Sequence, residues 1–266
     1  MWVVLCFVGA MAMTQLHDVV YIICDLSSTI LRFNATTRER LTDIDVKGFT
    51  RPWDIVACEQ TSQLYVADLA ECVWRVLADG AGIKLWLTKS STDKVSPTSL
   101  SVTSTRLLVT SRDTKQLIQL DSLGDELRRV QLPRFMKPWH AVESPTATFI
   151  VSHSNRELDQ CQISDCQISE VNTDGQLLRQ FTGSRLSPLG RTRHIATDSH
   201  GNVLVADCES GRILLLDAQL KLRRVIIDKH QLNYKEPRRL CYREPTGQLL
   251  VGFSVESVAA FDVLHG

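Results

Sequence analysis

Neither sign of charge is in excess: 30 Lys and Arg stand against 30 Asp and Glu. The summed field therefore gives no general attraction to double-stranded DNA or to an anionic membrane, and any basic site has to be local. No apolar run approaches the roughly 20 residues that a bilayer-spanning helix needs. The eight cysteines (Cys6, Cys24, Cys58, Cys72, Cys161, Cys166, Cys208 and Cys241) contain no CxxC pair and no zinc-finger spacing, which leaves them as reduced core residues of a cytoplasmic protein. Catalytic signatures are missing as well. There is no GxSxG, no HExxH, no P-loop and no GxGxxG, so the common hydrolase, metalloprotease and nucleotide-binding chemistries have no motif to start from.

What is present is enough apolar material, 44% of 266 residues, to bury a substantial core. The start, MWVVLCFVGAMAM, is apolar and ends in small residues, loosely like a signal peptide, which would make the chain secreted. It carries no Lys or Arg, and the basic n-region of a signal peptide is therefore missing. A buried strand is the better reading.

Internal repetition decides the fold. A β-branched run recurs as VVYIIC (19–24), QLYVAD (63–68), RLLVTS (106–111), TFIVSH (148–153), NVLVAD (202–207) and QLLVGF (248–253). A polar turn and a second run follow each, closing at Asn34, Leu77, Asp121, Asn172, Asp217 and Asp262, with spacings of 43, 44, 51, 45 and 45. A period of this length marks a propeller or solenoid. Third runs follow in most units, such as IKLWLT and KLRRVII, behind turn signals such as Asp79-Gly80 and Asp174-Gly175. A further run, often opened by proline, precedes each new unit: PWDIVA, PTSLSV, PWHAVE, TRHIAT and PRRLCY. Each unit is a four-stranded antiparallel sheet that cannot cover both of its faces alone, whereas six stacked radially can. The expected fold class is all-β, a six-bladed β-propeller over 1–266 with blades at about 2–46, 52–89, 97–132, 138–181, 192–227 and 237–263. Strand counting leaves one vacancy at each end. The run from Trp2 to Val8 is expected as the inner strand of the first blade, and the last blade then lacks its outer strand. Its run at 257–262 would be an exposed edge open to a partner. The long spacing contains a tandem duplication, CQISD then CQISE (161–170), expected to lengthen a loop or strand edge.

The pattern is clearest in HIATDSHGNVLVADCESGRILLLDAQLKLRRV. It resembles the NHL repeat, and over about residues 17–263 the chain looks like the propeller that ends tripartite-motif (TRIM-NHL) proteins. That resemblance implies a non-catalytic scaffold that recognises a protein partner or single-stranded RNA, as the substrate-recognition part of a ubiquitin-ligase-like protein. No RING, B-box or coiled coil is present, so ligase activity is not carried over. No cofactor is expected.

Two constellations are candidate sites. Two residues into the first run of units two to six stand Asp54, Ser99, His140, His194 and Arg239, positions that converge on the propeller axis. Two imidazoles and a carboxylate (His140, His194, Asp54) could hold zinc or calcium for a lyase or hydrolase. A mixed ring containing Arg239 is not a repeated ligand set, however, so no metal is the favoured reading. The second is a rim where one unit hands over to the next: Arg51, Lys137, Arg191, Arg193, Arg238 and Arg239, with Trp53 and Trp139 beside them. By the resemblance, Arg112, His153, Asn155 and Arg156 in the turns after the LYVAD-like runs join that face. Arg with aromatics suits unpaired bases or a protein hot spot. The acidic neighbours Asp54, Asp113 and Glu236 count against RNA.

Overall fold

The computed structural model describes residues 2–5, 10–70, 72–88, 96–155, 166–184, 187–233, 235–254 and 257–263. These form six four-stranded antiparallel sheets, the blades of a β-propeller. The first four blades and their inner strands are consecutive in sequence, beginning with Ala10–Leu16, Pro52–Cys58, Pro97–Thr103 and Met136–Glu143; the fifth begins with Thr192–Thr197 and the sixth with Pro237–Arg243. No α-helix occurs among the described residues, and none is therefore long and apolar enough to cross a membrane.

The second strand of each blade explains how one β-run serves two interfaces. Side chains alternate across a strand, so Val20, Ile22 and Cys24 pack against Leu250 and Val258 of the sixth blade, whereas Tyr21 and Ile23 pack against Ile55 and Leu64 of the second. In the second blade Leu64 and Val66 face back to the first and Tyr65 and Ala67 face on to the third. The remaining interfaces are built the same way. Both faces being covered, these strands read as continuous apolar runs. The outer strands are open, as in the exposed run Leu222–Val225.

The repeat's polar positions are turn and clamp residues. Asp121 accepts three backbone N–H groups, from Leu123, Gly124 and Asp125, at 2.8–2.9 Å, and Asn172 and Asp217 cap their turns likewise. These are Asx turns, which explains why Asn or Asp closes the third strand so regularly. In the second blade, where Leu77 holds that place, Asp79 caps the backbone of Ala81 instead. Gly175 follows with φ +78°, where an added Cβ would collide with the Gln131 carbonyl. The aspartate ending QLYVAD, Asp68, is fully buried and accepts the N–H groups of Thr50, Arg51 and Ala70 at 2.8–3.0 Å. It thereby fixes the segment that delivers the inner strand.

Both ends of the chain depart from expectation. Trp2–Leu5 is not the inner strand of the first blade. It pairs antiparallel with Ser257–Asp262, Trp2 opposite Ala260 and Leu5 opposite Ser257. The C-terminal stretch supplies three strands of the sixth blade, and the outer place, expected to be empty, is taken by this N-terminal strand. The edge at 257–262 is consequently already paired and offers no docking edge. The error lay in allotting one strand to residues 1–16: they hold two, and AMAMTQL, with Ala12 at the crowded axis, supplies the inner one. The first blade's outer strand is also shorter than its sequence run, reduced to Ile44–Asp45 with one isolated bridge between Phe33 and Arg40. The second copy of the duplication is the strand Cys166–Val171; the first lies outside the described residues.

Replacing Asp68 with Ala removes the buried acceptor of three part-buried backbone N–H bonds. It is expected to lower the unfolding free energy by about 2–4 kcal/mol, read by denaturant titration at unchanged m-value.

Candidate functional site

Every inner strand begins with a register shift: between Pro52 and Asp54, Pro97 and Ser99, Pro138 and His140, Pro237 and Arg239, Ala10 and Ala12, and Thr192 and Ile195. A bulge re-aims side chains. Here it sorts neighbouring residues into two layers. Asp54, Ser99, His140, His194 and Arg239 are buried around the axis, while Trp53, Thr98, Trp139 and Arg193 line a cavity of about 250 Å³ at one mouth of the channel.

The axial layer is a set of ties between blades. Asp54 accepts the N–H of Leu100 at 2.8 Å and of Ile55 at 3.1 Å, and its carboxylate lies 3.5 Å from the Arg239 Nε. Arg239 also donates to the Trp53 carbonyl. It can span from the sixth blade to the second because the first blade presents only Ala12 there. Burial pushes the Asp54 carboxyl up, opposed by Arg239 and by the two amides. His140 and His194 stack with ring centroids 3.8 Å apart. Burial, followed by the neighbouring Arg239, holds His140 down to about 3; burial and then His140 and Arg239 hold His194 well below the ordinary range.

The donor atoms of Asp54, His140 and His194 lie within 4.8 Å of one another, but the hydrogen bonds they make compete with a shared cation. His140 Nε2 faces the Leu100 carbonyl at 3.1 Å, so it is the protonated nitrogen and only Nδ1 keeps a lone pair. His194 spends its Nδ1 lone pair on the Leu240 N–H at 3.4 Å, leaving its proton on Nε2. One imidazole lone pair and a carboxylate already paired with arginine do not make a zinc or calcium site. Burial raises the Cys72 and Cys208 thiols to about 11, which keeps both protonated near neutral pH.

The mouth is different. Its lining includes Arg51, Trp53, Arg112, Asp113, Trp139, Arg193 and Arg239. Arg112 lies over the Trp139 ring at 3.6 Å and Arg193 at 5.2 Å, while Arg51 lies 5.8 Å from the Trp53 ring. Arg51 is 4.0 Å from Asp25 and Arg238 is 3.8 Å from Glu236, loose pairs at the surface. Arg193 has no ion-pair partner among the described residues, and burial, then Arg238, weakens its hold on the proton. The opposite mouth is a cavity of about 190 Å³ lined by residues such as Thr14, Val102, Val142 and Cys241, with no Asp, Glu, Lys or Arg among the described residues of its lining.

Several expected rim residues lie elsewhere. His153 is a correction: it is fully buried, donating to or accepting from Ser169 Oγ at 2.8 Å, with burial holding it down to about 4. It stands in the ladder where Asp68 and Asp207 stand, opposite the first residue of the inner run, and so belongs to the strand and not to the turn after it. Lys137 and Asn155 are half-buried, and Arg191 is exposed, none of them lining the cavity. Arg156 lies outside the described residues. Leu69 and Thr98, which the cavity does include, were signalled only by their equivalence to Arg112 and Trp139 in the repeat.

No family model matches the sequence, and no curated protein matches it significantly. Among solved structures the chain is similar to one from Kuenenia stuttgartiensis hydrazine synthase (TM-score 0.67, 10% identity, 96% of this chain and 95% of that one). It is also similar to the WD40 β-propeller domain of Doa1 (TM-score 0.66, 14% identity, 96% and 93%). Likeness at such identities establishes the fold, a six-bladed all-β propeller.

Because His140, His153 and His194 are held neutral in the fold but titrate near 6.5 when unfolded, the unfolded chain binds more protons below that pH. Stability is therefore full above about pH 6.5 and is lost toward pH 4, by up to about 1.4 kcal/mol per pH unit for each histidine. Asp54, with its carboxyl raised, works in the opposite sense. Substituting His153 with Gln should remove about one proton from the slope of unfolding free energy between pH 4.5 and 6, measured by denaturant titration.

Proposed function

We propose that the protein is a non-catalytic NHL-type scaffold of the cytoplasm that binds a protein partner at the arginine-rich mouth of its channel. The observation that carries this reading is the asymmetry of the two mouths among the described residues: one is lined by four arginines and two tryptophans, the other by no ionised side chain. Trp and Arg gathered around a concave centre are the composition of a protein-binding hot spot. Single-stranded RNA is the weaker reading. Nucleotide-binding platforms need open aromatic faces and a continuous cationic track, whereas the Trp139 face here is covered by Arg112, and Asp25, Asp113 and Glu236 interrupt the basic rim. The spent lone pairs of the axial histidines support the absence of metal chemistry.

Photo-crosslinking in cells tests the reading, with a benzophenone side chain placed at Trp53 and, as control, at Val102 on the opposite mouth. A discrete protein adduct from position 53 and none from 102 is expected. Trp139→Ala in the same chain should cut the yield about tenfold or more at unchanged melting temperature, the loss of a typical aromatic hot spot. Equal adducts from both mouths, or adducts to RNA alone, would overturn it.

A further inference from the structure

An unpaired guanidinium in a partly closed site is costly, because burial disfavours the charged form unless a counter-charge is supplied. Arg193 is such a group. It is half-buried in the cavity lining and lies over Trp139 at 5.2 Å; among the described residues the cations Arg238, Arg191 and Arg239 act on it, and Cys208, the one neighbour of opposite sense, keeps its proton because burial raises that thiol to about 11. Beneath it Arg239 is already committed to Asp54 and to the Trp53 carbonyl. The fold thus leaves one positive charge at the mouth for something else to neutralise.

We infer that the mouth is a receptor for a carboxylate: an aspartate or glutamate side chain of an extended, acidic partner segment enters the cavity and pairs with Arg193. The inference rests on the protein-binding reading above. The fork of a guanidinium matches the two oxygens of a carboxylate, and a cavity of about 250 Å³ is sized for one or two side chains and not for a folded domain. Charge complementarity selects the acidic partner. The same residue imposes a cost on the free protein, since its neighbours repel it.

The test uses the full chain and three fluorescent probes: capped octaglutamate, capped octaglutamine and octauridylate. Octaglutamate is expected to bind saturably, octaglutamine not at all, and octauridylate at least tenfold more weakly than octaglutamate. Arg193→Gln should weaken octaglutamate at least tenfold while leaving the melting temperature of the free protein unchanged or raised, because a like charge has gone. Arg193→Lys, which keeps the charge and loses the fork, should fall between. Arg128→Gln, on an exposed outer strand, should bind like the parent. Binding unaffected by Arg193→Gln, equal losses in Arg128→Gln, tighter octauridylate, or Gln and Lys variants weakened alike with lowered melting temperatures would each overturn the assignment. Adducts at the mouth together with octaglutamate that does not bind would sink the carboxylate alone and leave the protein-binding reading standing.

Discussion

A four-stranded sheet has two faces and nothing of its own to lay against either. In this chain the need is met by alternation: odd and even residues of one strand enter two different cores, each shared with a different neighbour. No blade is complete without the blades on either side, and no arrangement short of a closed ring satisfies all of them. Closure brings the inner strands together at the axis, where the buried polar side chains have to find partners. Asp54, His140, His194 and Arg239 do so by bonding backbone or charge on other blades. Residues that look like a ligand set in sequence are cross-ties, and the alanine in the first blade is the gap that lets Arg239 reach across.

That distinction shows what the sequence could and could not disclose. The repeat was legible because turn chemistry and burial recur at fixed intervals: the Asx residue at the end of the third strand and the apolar second strand are dictated locally. The axial convergence of Asp54, His140 and His194 was legible for the same reason. Which nitrogen of each imidazole was spent was not, because it depends on carbonyl and amide groups of other blades. His153 was misplaced by a single residue, reading as a turn although its ladder position is that of the buried Asp68. The bulge that turns Trp53 and Trp139 toward the mouth and sends Asp54 and His140 to the axis leaves no composition signal. The N-terminal strands were miscounted because Ala and Met carry little β-signal, although small side chains are what the axis requires.

The mouth follows from the same geometry. Since the bulges repeat around the ring, the second to fifth blades each turn one equivalent side chain toward the mouth, and the chemistry there is set by what the repeat leaves variable. Trp, Thr, Trp and Arg occupy equivalent places, an irregular lining on a regular scaffold. Propellers support unrelated functions in this way, with the fold constant and the rim free to change. The stacked guanidiniums on Trp139 hold that ring in place and spend its face, which narrows the kinds of group the rim can take.

The pairing of Trp2–Leu5 with Ser257–Asp262 has a consequence in time. During synthesis the segment at 2–5 leaves the ribosome well before its partner strand exists, and its ladder spans nearly the whole sequence, the kind of distant pairing that slows folding. Blades one to five can assemble against each other as they emerge. The side of the first blade carrying Val20, Ile22 and Cys24 has no cover until the sixth arrives. Throughout that interval the nascent chain displays an unfilled apolar face and an unpaired strand together, the combination most prone to capture by a neighbouring copy.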